Sequence, residues 1–211
     1  MANKRGLLIV LSGPSGVGKG TVRAAVFEDS KCDYVYSISA TTRQSRPGEQ
    51  DGVDYYFISK AEFEKLIQED ALLEYAEYVG NYYGTPLASI EENLAAGRDV
   101  FLEIEVQGAR KVRDKMPEGI FIFLAPPSLN ELEIRLIERG TDQPEVVRQR
   151  MMTARQELDL MDHYDYVVVN DQVSWAVDKI NAIITSEHLR VDRVVDHIRS
   201  DIDQYFSRGV E

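Results

Sequence analysis

Apolar positions in this chain come in blocks, and the spacing within each block predicts an element. Leu7–Leu11 (LLIVL) is a continuous apolar run and reads as a buried strand, followed by a glycine-rich turn and a helix starting near Lys19 that carries Val22, Ala25 and Val26. Tyr34–Ser39 (YVYSIS) predicts a short strand. Lys60–Glu69 places Phe63, Leu66 and Ile67 at helical spacing. Leu72–Tyr83 alternates in part and predicts strands with a turn at Gly80-Asn81, and Pro86–Ala96 predicts a helix closed by Gly97. Asp99–Glu105 (DVFLEIE) and Ile120–Leu124 (IFIFL) are further buried strands, the second stopped by Ala125-Pro126-Pro127. Asn130–Arg139 carries Leu132, Leu136 and Ile137 on one helical face and is broken by Gly140. Pro144–Leu160 is a second, arginine-bearing helix. Tyr166–Val169 (YVVV) is a last apolar strand ending at Asn170-Asp171, and Val173–Leu189 an amphipathic helix. Arg190–Glu211 is a charged helical tail that either packs on the core or pairs with another subunit. Thr41–Phe57 has two arginines, Pro47, two glycines and few aliphatics, so it is loop-rich, and such a stretch within a domain is usually functional or mobile.

Continuous apolar strands alternating with helices imply an α/β fold with a mostly parallel central sheet covered on both faces. Ligands of such sheets sit at the C-terminal ends of the strands. That edge would gather the glycine-rich turn, Glu103 and Glu105, and Asn170 and Asp171. There are no internal repeats and no low-complexity segment.

Composition narrows the function. With 24 Lys+Arg against 36 Asp+Glu, the formal charge is −12, which disfavours general binding to nucleic acid or anionic membranes. A single cysteine, Cys32, excludes an intrachain disulfide and points to the cytoplasm. Lys4 and Arg5 before LLIVL imitate a signal peptide, but the run is too short and the glycine turn follows at once. No stretch approaches membrane-spanning length. His163, His188 and His197 share no metal-ligand spacing and are assigned no chemistry.

The chemistry begins at Gly13-Pro14-Ser15-Gly16-Val17-Gly18-Lys19-Gly20-Thr21. Gly-x4-Gly-Lys between a strand and a helix is the phosphate-cradling spacing: glycines bring backbone N–H groups to an anion, the helix N-terminus adds partial positive charge, and Lys19 adds a full one. The hydroxyl residue expected after the lysine is Gly20 here, with Thr21 one place on, which weakens a direct hydroxyl–magnesium contact. Glu103 and Glu105, two apart on the predicted strand, would share a face and either order magnesium through water or stand as solvated strand-end acids. Arg43 and Arg46, with Tyr55, suit a phosphate as well as they suit a solvated charged loop. Glu74, between Leu73 and Tyr75, reads by pattern as the outward face of a strand.

Taken in order, GPSGVGKGT, SATTRQSRPGEQDGVDYYF, EYVGNYYGTP, FLEIEVQGA, RGT with a following arginine helix, and VVND closely resemble the guanylate kinase family over residues 5–187. The resemblance implies a P-loop NTPase three-layer fold with an inserted GMP-binding lobe (residues 38–90) and a helical lid (residues 127–160) on a core made of residues 1–37, 91–126 and 161–211. It implies reversible γ-phosphoryl transfer from ATP, with Mg2+, to GMP or dGMP, in purine nucleotide metabolism and GMP recycling. Ser39, Arg43, Arg46, Tyr55 and Tyr83 would hold the GMP phosphate or its surroundings. Glu74 and Thr85 would meet the base, and Glu105 the base amine, a magnesium water, or both. Gly13 through Thr21 would cradle ATP, with Asn170 at the adenine. Lys19, Arg43, Arg139 and Arg150 would surround the transferring group. Two rivals are an interaction module that kept the GMP lobe and lost ATP chemistry, and a kinase of another monophosphate or a phosphorylated sugar. The complete phosphate loop with Lys19, Arg139 and Arg150 favours an enzyme.

Overall fold

The computed structural model describes residues 5–28, 34–78, 80–138 and 143–208. Its first half holds β1 (Leu8–Ser12), α1 (Lys19–Glu28), β2 (Tyr34–Tyr36), β3 (Ala40–Thr41), β4 (Tyr56–Phe57), α2 (Lys60–Gln68), β5 (Leu72–Tyr78), β6 (Asn81–Pro86) and α3 (Leu87–Ala95). The second half holds β7 (Asp99–Glu103), α4 (Val106–Lys115), β8 (Ile120–Ala125), α5 (Leu129–Glu138), α6 (Pro144–Leu158), a 3-10 turn (Met161–His163), β9 (Tyr166–Val169), α7 (Val173–His188) and α8 (Val191–Arg208).

The apolar run near the start of the chain becomes the middle strand of a parallel sheet ordered β2-β7-β1-β8-β9. Side chains of a strand point alternately to opposite faces, so a strand covered on both faces must be apolar throughout. Leu7, Ile9 and Leu11 enter one cluster with Val22 and Val26 of α1, Leu132 and Leu136 of α5, and Ile180 of α7. Leu8 and Val10 enter the other, with Ile90 and Leu94 of α3 and Ala109 and Val112 of α4. The result is three layers, helices on both faces of a parallel sheet.

A second sheet, ordered β4-β3-β6-β5, is smaller and mostly antiparallel, with β3 and β4 parallel. Its core is Ala40, Phe63 and Leu72. Phe63 stacks on Tyr82 at 5.2 Å between centroids. A Cβ at Gly84 would stand 2.9 Å from the Phe63 ring, so glycine lets the ring lie against β6.

Several elements differ from the pattern-based expectation. The predicted strand Tyr34–Ser39 splits: β2 stops at Tyr36, Ser37 N–H makes a last bond to the Phe101 carbonyl (3.0 Å), and the chain crosses to the small sheet at Ala40. The loop 41–57 begins and ends in two-residue strands that pair with each other. The strand Asp99–Glu105 ends at Glu103, and Glu105 becomes the N-cap of α4, so the two acids do not share a strand face. No helix was expected at α4. Its apolar signal, Val106, Ala109 and Val112, lies among Arg110, Lys111, Arg113, Asp114 and Lys115. The helix expected to start at Asn130 starts at Leu129, after Ser128, whose Oγ accepts the Glu131 N–H at 3.1 Å. The one expected to run to Leu160 ends at Leu158. In the tail, α8 leaves Ile198, Ile202, Tyr205 and Phe206 exposed. No helix among the described residues is long and apolar enough to cross a membrane.

Candidate active site

The phosphate loop joins β1 to α1. Gly13 lies so close to β8 that a Cβ would sit 2.3 Å from the Leu124 carbonyl oxygen. Gly18, at φ +95°, would meet the Asn170 amide at 2.8 Å. Larger residues at these two places would push the loop off the sheet edge. Asn170 is buried beneath the loop, and its Nδ2 donates to the Val17 carbonyl at 2.8 Å. Lys19 is buried, and its Nζ donates to the carbonyls of Gly13 (2.7 Å) and Pro14 (3.3 Å), with the Glu105 carboxylate at 3.5 Å. Pro14, Ser15, Gly16, Gly18, Lys19, Gly20, Thr21, Glu103, Glu105 and Arg135 line a cleft of about 530 Å³. A strand-to-helix turn of this kind, open to a cleft and rich in N–H donors, is built for an anion.

The two acids behave differently. Glu103 pairs with Arg23 at 2.9 Å, and the Arg23 guanidinium lies 4.4 Å from the Tyr36 ring centre. Burial pushes the Glu103 carboxyl up, with Arg23 and Lys19 opposing. The Glu105 side chain is 68 % exposed at the rim of the cleft. Position 20 has no hydroxyl, and a Cβ there would stand 3.8 Å from Glu103 Oε1. Among the described residues no group of three ligating side chains could enclose a metal. Glu105, exposed at the rim of the cleft, would fit a cation that reached it through water.

Of three residues without an assignment from sequence, Arg135 lines this cleft, and Glu157 and Arg23 touch residues that line it. Arg135 Nη1 donates to the Asn170 carbonyl (3.1 Å) and Nε to Glu131 (3.0 Å). Its only signal in the sequence was its place on the helix Asn130–Arg139, among the arginines of that helical pair. Glu157 of α6 is buried, accepts from the Ser15 N–H, and has one oxygen, Oε2, with no hydrogen-bond partner. Burial and the Glu105 charge push its carboxyl up, against Lys19 and the Ser15 N–H. Arg23 completes the set. Arg150 is half-buried on α6 and does not line the cleft. Arg139 lies outside the described residues.

The other expected residues gather on the small sheet. Arg43 makes two bonds to Glu49, Nη1 to Oε2 at 2.8 Å and Nη2 to Oε1 at 2.9 Å. Its guanidinium stands 5.3 Å from the Tyr55 ring centre, and Tyr55 meets Tyr83 edge-on at 6.1 Å. Arg46 is exposed, and its N–H donates to Glu49 Oε2 at 2.7 Å. The Ser39 carbonyl accepts from the Tyr56 N–H (2.9 Å), fixing Ser39 at the entry to β3. Thr85 is fully buried and donates its hydroxyl to Glu74 Oε1 at 2.7 Å. Glu74 does not face solvent as its strand pattern suggested. It turns toward α4, where a Cβ at Gly108 would lie 3.4 Å from Oε2. Burial raises the Glu74 carboxyl, while the Thr85 bond and the Lys111 charge hold it down. An inward carboxylate, when ionised, is an acceptor for paired N–H donors.

A family model described as guanylate kinase matches residues 5–187. A guanylate kinase of Listeria innocua is 62% identical over 200 residues, covering 95% of this chain and 98% of that one. A guanylate kinase of Enterococcus faecalis is 62% identical over 193 residues, covering 92% of this chain and 95% of that one. The crystal structure of guanylate kinase from Anaplasma phagocytophilum superposes with a TM-score of 0.71 at 34% identity, covering 92% of each chain. With a glycine-rich phosphate loop on one sheet and a half-buried carboxylate bonded to a buried hydroxyl on the other, the chain belongs to the guanylate kinase family.

Proposed function

We propose that the chain transfers the γ-phosphoryl group of ATP reversibly to GMP or dGMP, giving ADP and GDP, as a cytoplasmic enzyme of purine nucleotide metabolism. The observation that carries the choice of substrate is the Thr85–Glu74 pair. Guanine offers N–H donors at N1 and N2, and the two lone-pair faces of one carboxylate can accept both. Adenine has no N1 proton and would leave a buried charge unpaired, at a cost of about 1–3 kcal/mol or more. Thr85 has one proton. While Glu74 takes it, the hydroxyl's role is to hold that carboxylate ionised and aimed, and donation to guanine O6 would require it to turn.

The backbone from Gly13 to Thr21, with Lys19, holds the ATP phosphates, and Arg135 and Asn170 bound the adenine end. Ser39, Arg43, Arg46, Tyr55 and Tyr83 hold the GMP phosphate. Residues 38–90 act as the GMP lobe and residues 127–160 as the lid that carries Arg139 and Arg150 toward the transferring group. Bound Mg2+ would spread the charge of the polyphosphate, with Glu105 and Glu103 reaching its waters. The transferring group is loose and carries charge on its outer oxygens, so positioning and cation placement do most of the work. The GMP phosphate attacks directly and needs no strong base. Lobe and lid keep water out when they close, which prevents idle hydrolysis of ATP.

A coupled assay of ADP formation with GMP, dGMP, AMP, UMP and dTMP tests this reading. GMP and dGMP should be used, with the other three lower by about 100-fold or more in kcat/KM. Comparable use of AMP or UMP would overturn it. Binding of GMP without turnover would instead favour an interaction module.

A further inference from the structure

Glu49 belongs to none of the roles given so far, yet it touches both arginines of the loop. Its Oε2 accepts from Arg43 Nη1 (2.8 Å) and from the Arg46 N–H (2.7 Å), while Oε1 accepts from Arg43 Nη2 (2.9 Å). The Glu49 N–H returns a bond to the Arg46 carbonyl at 3.0 Å. Carboxylate and backbone of one residue thus close the turn Arg46–Glu49 in both directions. This matters because residues 43–49 have no helix or strand of their own to hold them. The pair is largely sheltered, with the Arg43 side chain 14% and the Glu49 side chain 20% exposed.

A guanidinium has five N–H donors in one plane. Nη1 spends both of its own, on Glu49 and on the Gln44 carbonyl (2.8 Å), and Nη2 spends one on Glu49. The Tyr83 hydroxyl also bonds the guanidinium, and the two donors not spent on Glu49 or Gln44, Nε–H and the second on Nη2, lie along one side of the plane. They form a fork that matches two oxygens of a phosphate. Glu49 therefore occupies the end of the guanidinium and leaves its side edge for other partners, with the Tyr55 ring centre 5.3 Å and the Phe57 ring centre 5.6 Å from the guanidinium carbon.

We infer that Glu49 is a positioning residue of the GMP-phosphate site, a clip that fixes the Arg43 fork and the Arg46 backbone in one geometry before substrate arrives. It acts through the arginines and does not touch the substrate. The inference rests on the reading of Arg43 as a phosphate ligand. The clip is not one that a phosphate displaces, since Glu49 is built into the turn by its own backbone bond. Arg43 holds the Glu49 carboxyl down at about 2, so the clip stays charged at neutral pH.

A double-mutant cycle in the full chain tests it, with KM for GMP, KM for ATP and kcat measured for wild type, Glu49→Ala, Glu49→Gln, Arg43→Ala and the double variant Glu49→Ala/Arg43→Ala. Glu49→Ala should raise KM for GMP about 10-fold or more, since it removes charge-assisted bonds. KM for ATP should stay within twofold. Glu49→Gln keeps one acceptor and should fall between Glu49→Ala and wild type, which separates a lost clip from a misfolded loop. In the Arg43→Ala background, Glu49→Ala should cost less than it does in wild type, because only the bond to the Arg46 N–H is left to lose. Equal damage to GMP and ATP, or a full additional loss in the double variant, would overturn the clip. An Arg43→Ala variant with unchanged KM for GMP would instead sink the assignment of Arg43 on which the clip rests.

Discussion

The two sheets offer their ligands different materials. The large sheet presents backbone: a glycine-rich loop pressed against Leu124 and underpinned by Asn170, on strands buried from end to end. The small sheet presents side chains: Glu74, Tyr83 and Thr85 on β5 and β6, and Arg43 and Tyr55 on the loop between the two-residue strands β3 and β4, around a core of three buried residues. Backbone N–H groups suit a triphosphate, which many proteins must recognise without regard to the base. A buried carboxylate with a hydroxyl suits one base. The first kind of site tolerates little change in shape, and the second little change in charge or hydrogen bonding.

The sharpest way to break this comparison is to weaken one sheet alone. Phe63→Ala removes the largest side chain of the small core and should cost about 3–5 kcal/mol there. GMP binding, by calorimetry, should disappear while ATP binding persists. Loss of both together would mean that the sheets do not act separately. Lys19→Ala attacks the other side. It should lower kcat by about 100- to 1000-fold, with GMP affinity and the far-UV circular dichroism unchanged. A variant retaining more than half of normal turnover would refute the role of Lys19.

Thr85→Val probes the charge state of Glu74. In the proposed function GMP recognition needs the Glu74 carboxylate, which burial already raises and Thr85 lowers. Without the hydroxyl the carboxyl rises further, so the acid limb of the kcat/KM profile for GMP should move to higher pH. At neutral pH the loss should be about 10-fold, the worth of one hydrogen bond to a charged group. An unmoved acid limb would show that Thr85 does not support Glu74.

The smallest effect concerns Glu157. Its folded carboxyl is raised above the ordinary 4.5, so the folded chain binds that proton more tightly than the unfolded chain does. Stability from this group is therefore present below the unfolded value and lost as pH rises through the folded one. Glu157→Gln keeps an acceptor for Ser15 and removes the buried charge. Its Tm should exceed that of wild type at pH 7, with the gain shrinking below about pH 4.5. A lower Tm at pH 7 would mean that the charge itself is needed.

The same contrast explains what could be read from sequence. The phosphate loop and the central strands were legible because glycine spacing and continuous apolar runs are local signals. Fold class followed from their alternation with helices. Glu74 by pattern faced outward, because its burial depends on α4, a helix whose apolar positions were hidden among five charged residues. Glu105 was assigned a shared strand face with Glu103, yet the chain turns into α4 two residues after β7 ends. Glu49 and Glu157 carry no motif of their own, and their partners come from the fold of a loop and the packing of α6. What identified the guanine side in the sequence was the family resemblance and not the pattern.

The central claim is that Glu74 reads guanine. Calorimetric titration of GMP into wild type and Glu74→Gln, without ATP, tests it most directly. An amide at this position would set an N–H₂ against a donor of the base. The account predicts that GMP affinity falls about 50-fold or more, that wild type binds IMP, which lacks the 2-amino group, more weakly than GMP, and that ATP affinity is unchanged. A Glu74→Gln variant that binds GMP within twofold of wild type would contradict it.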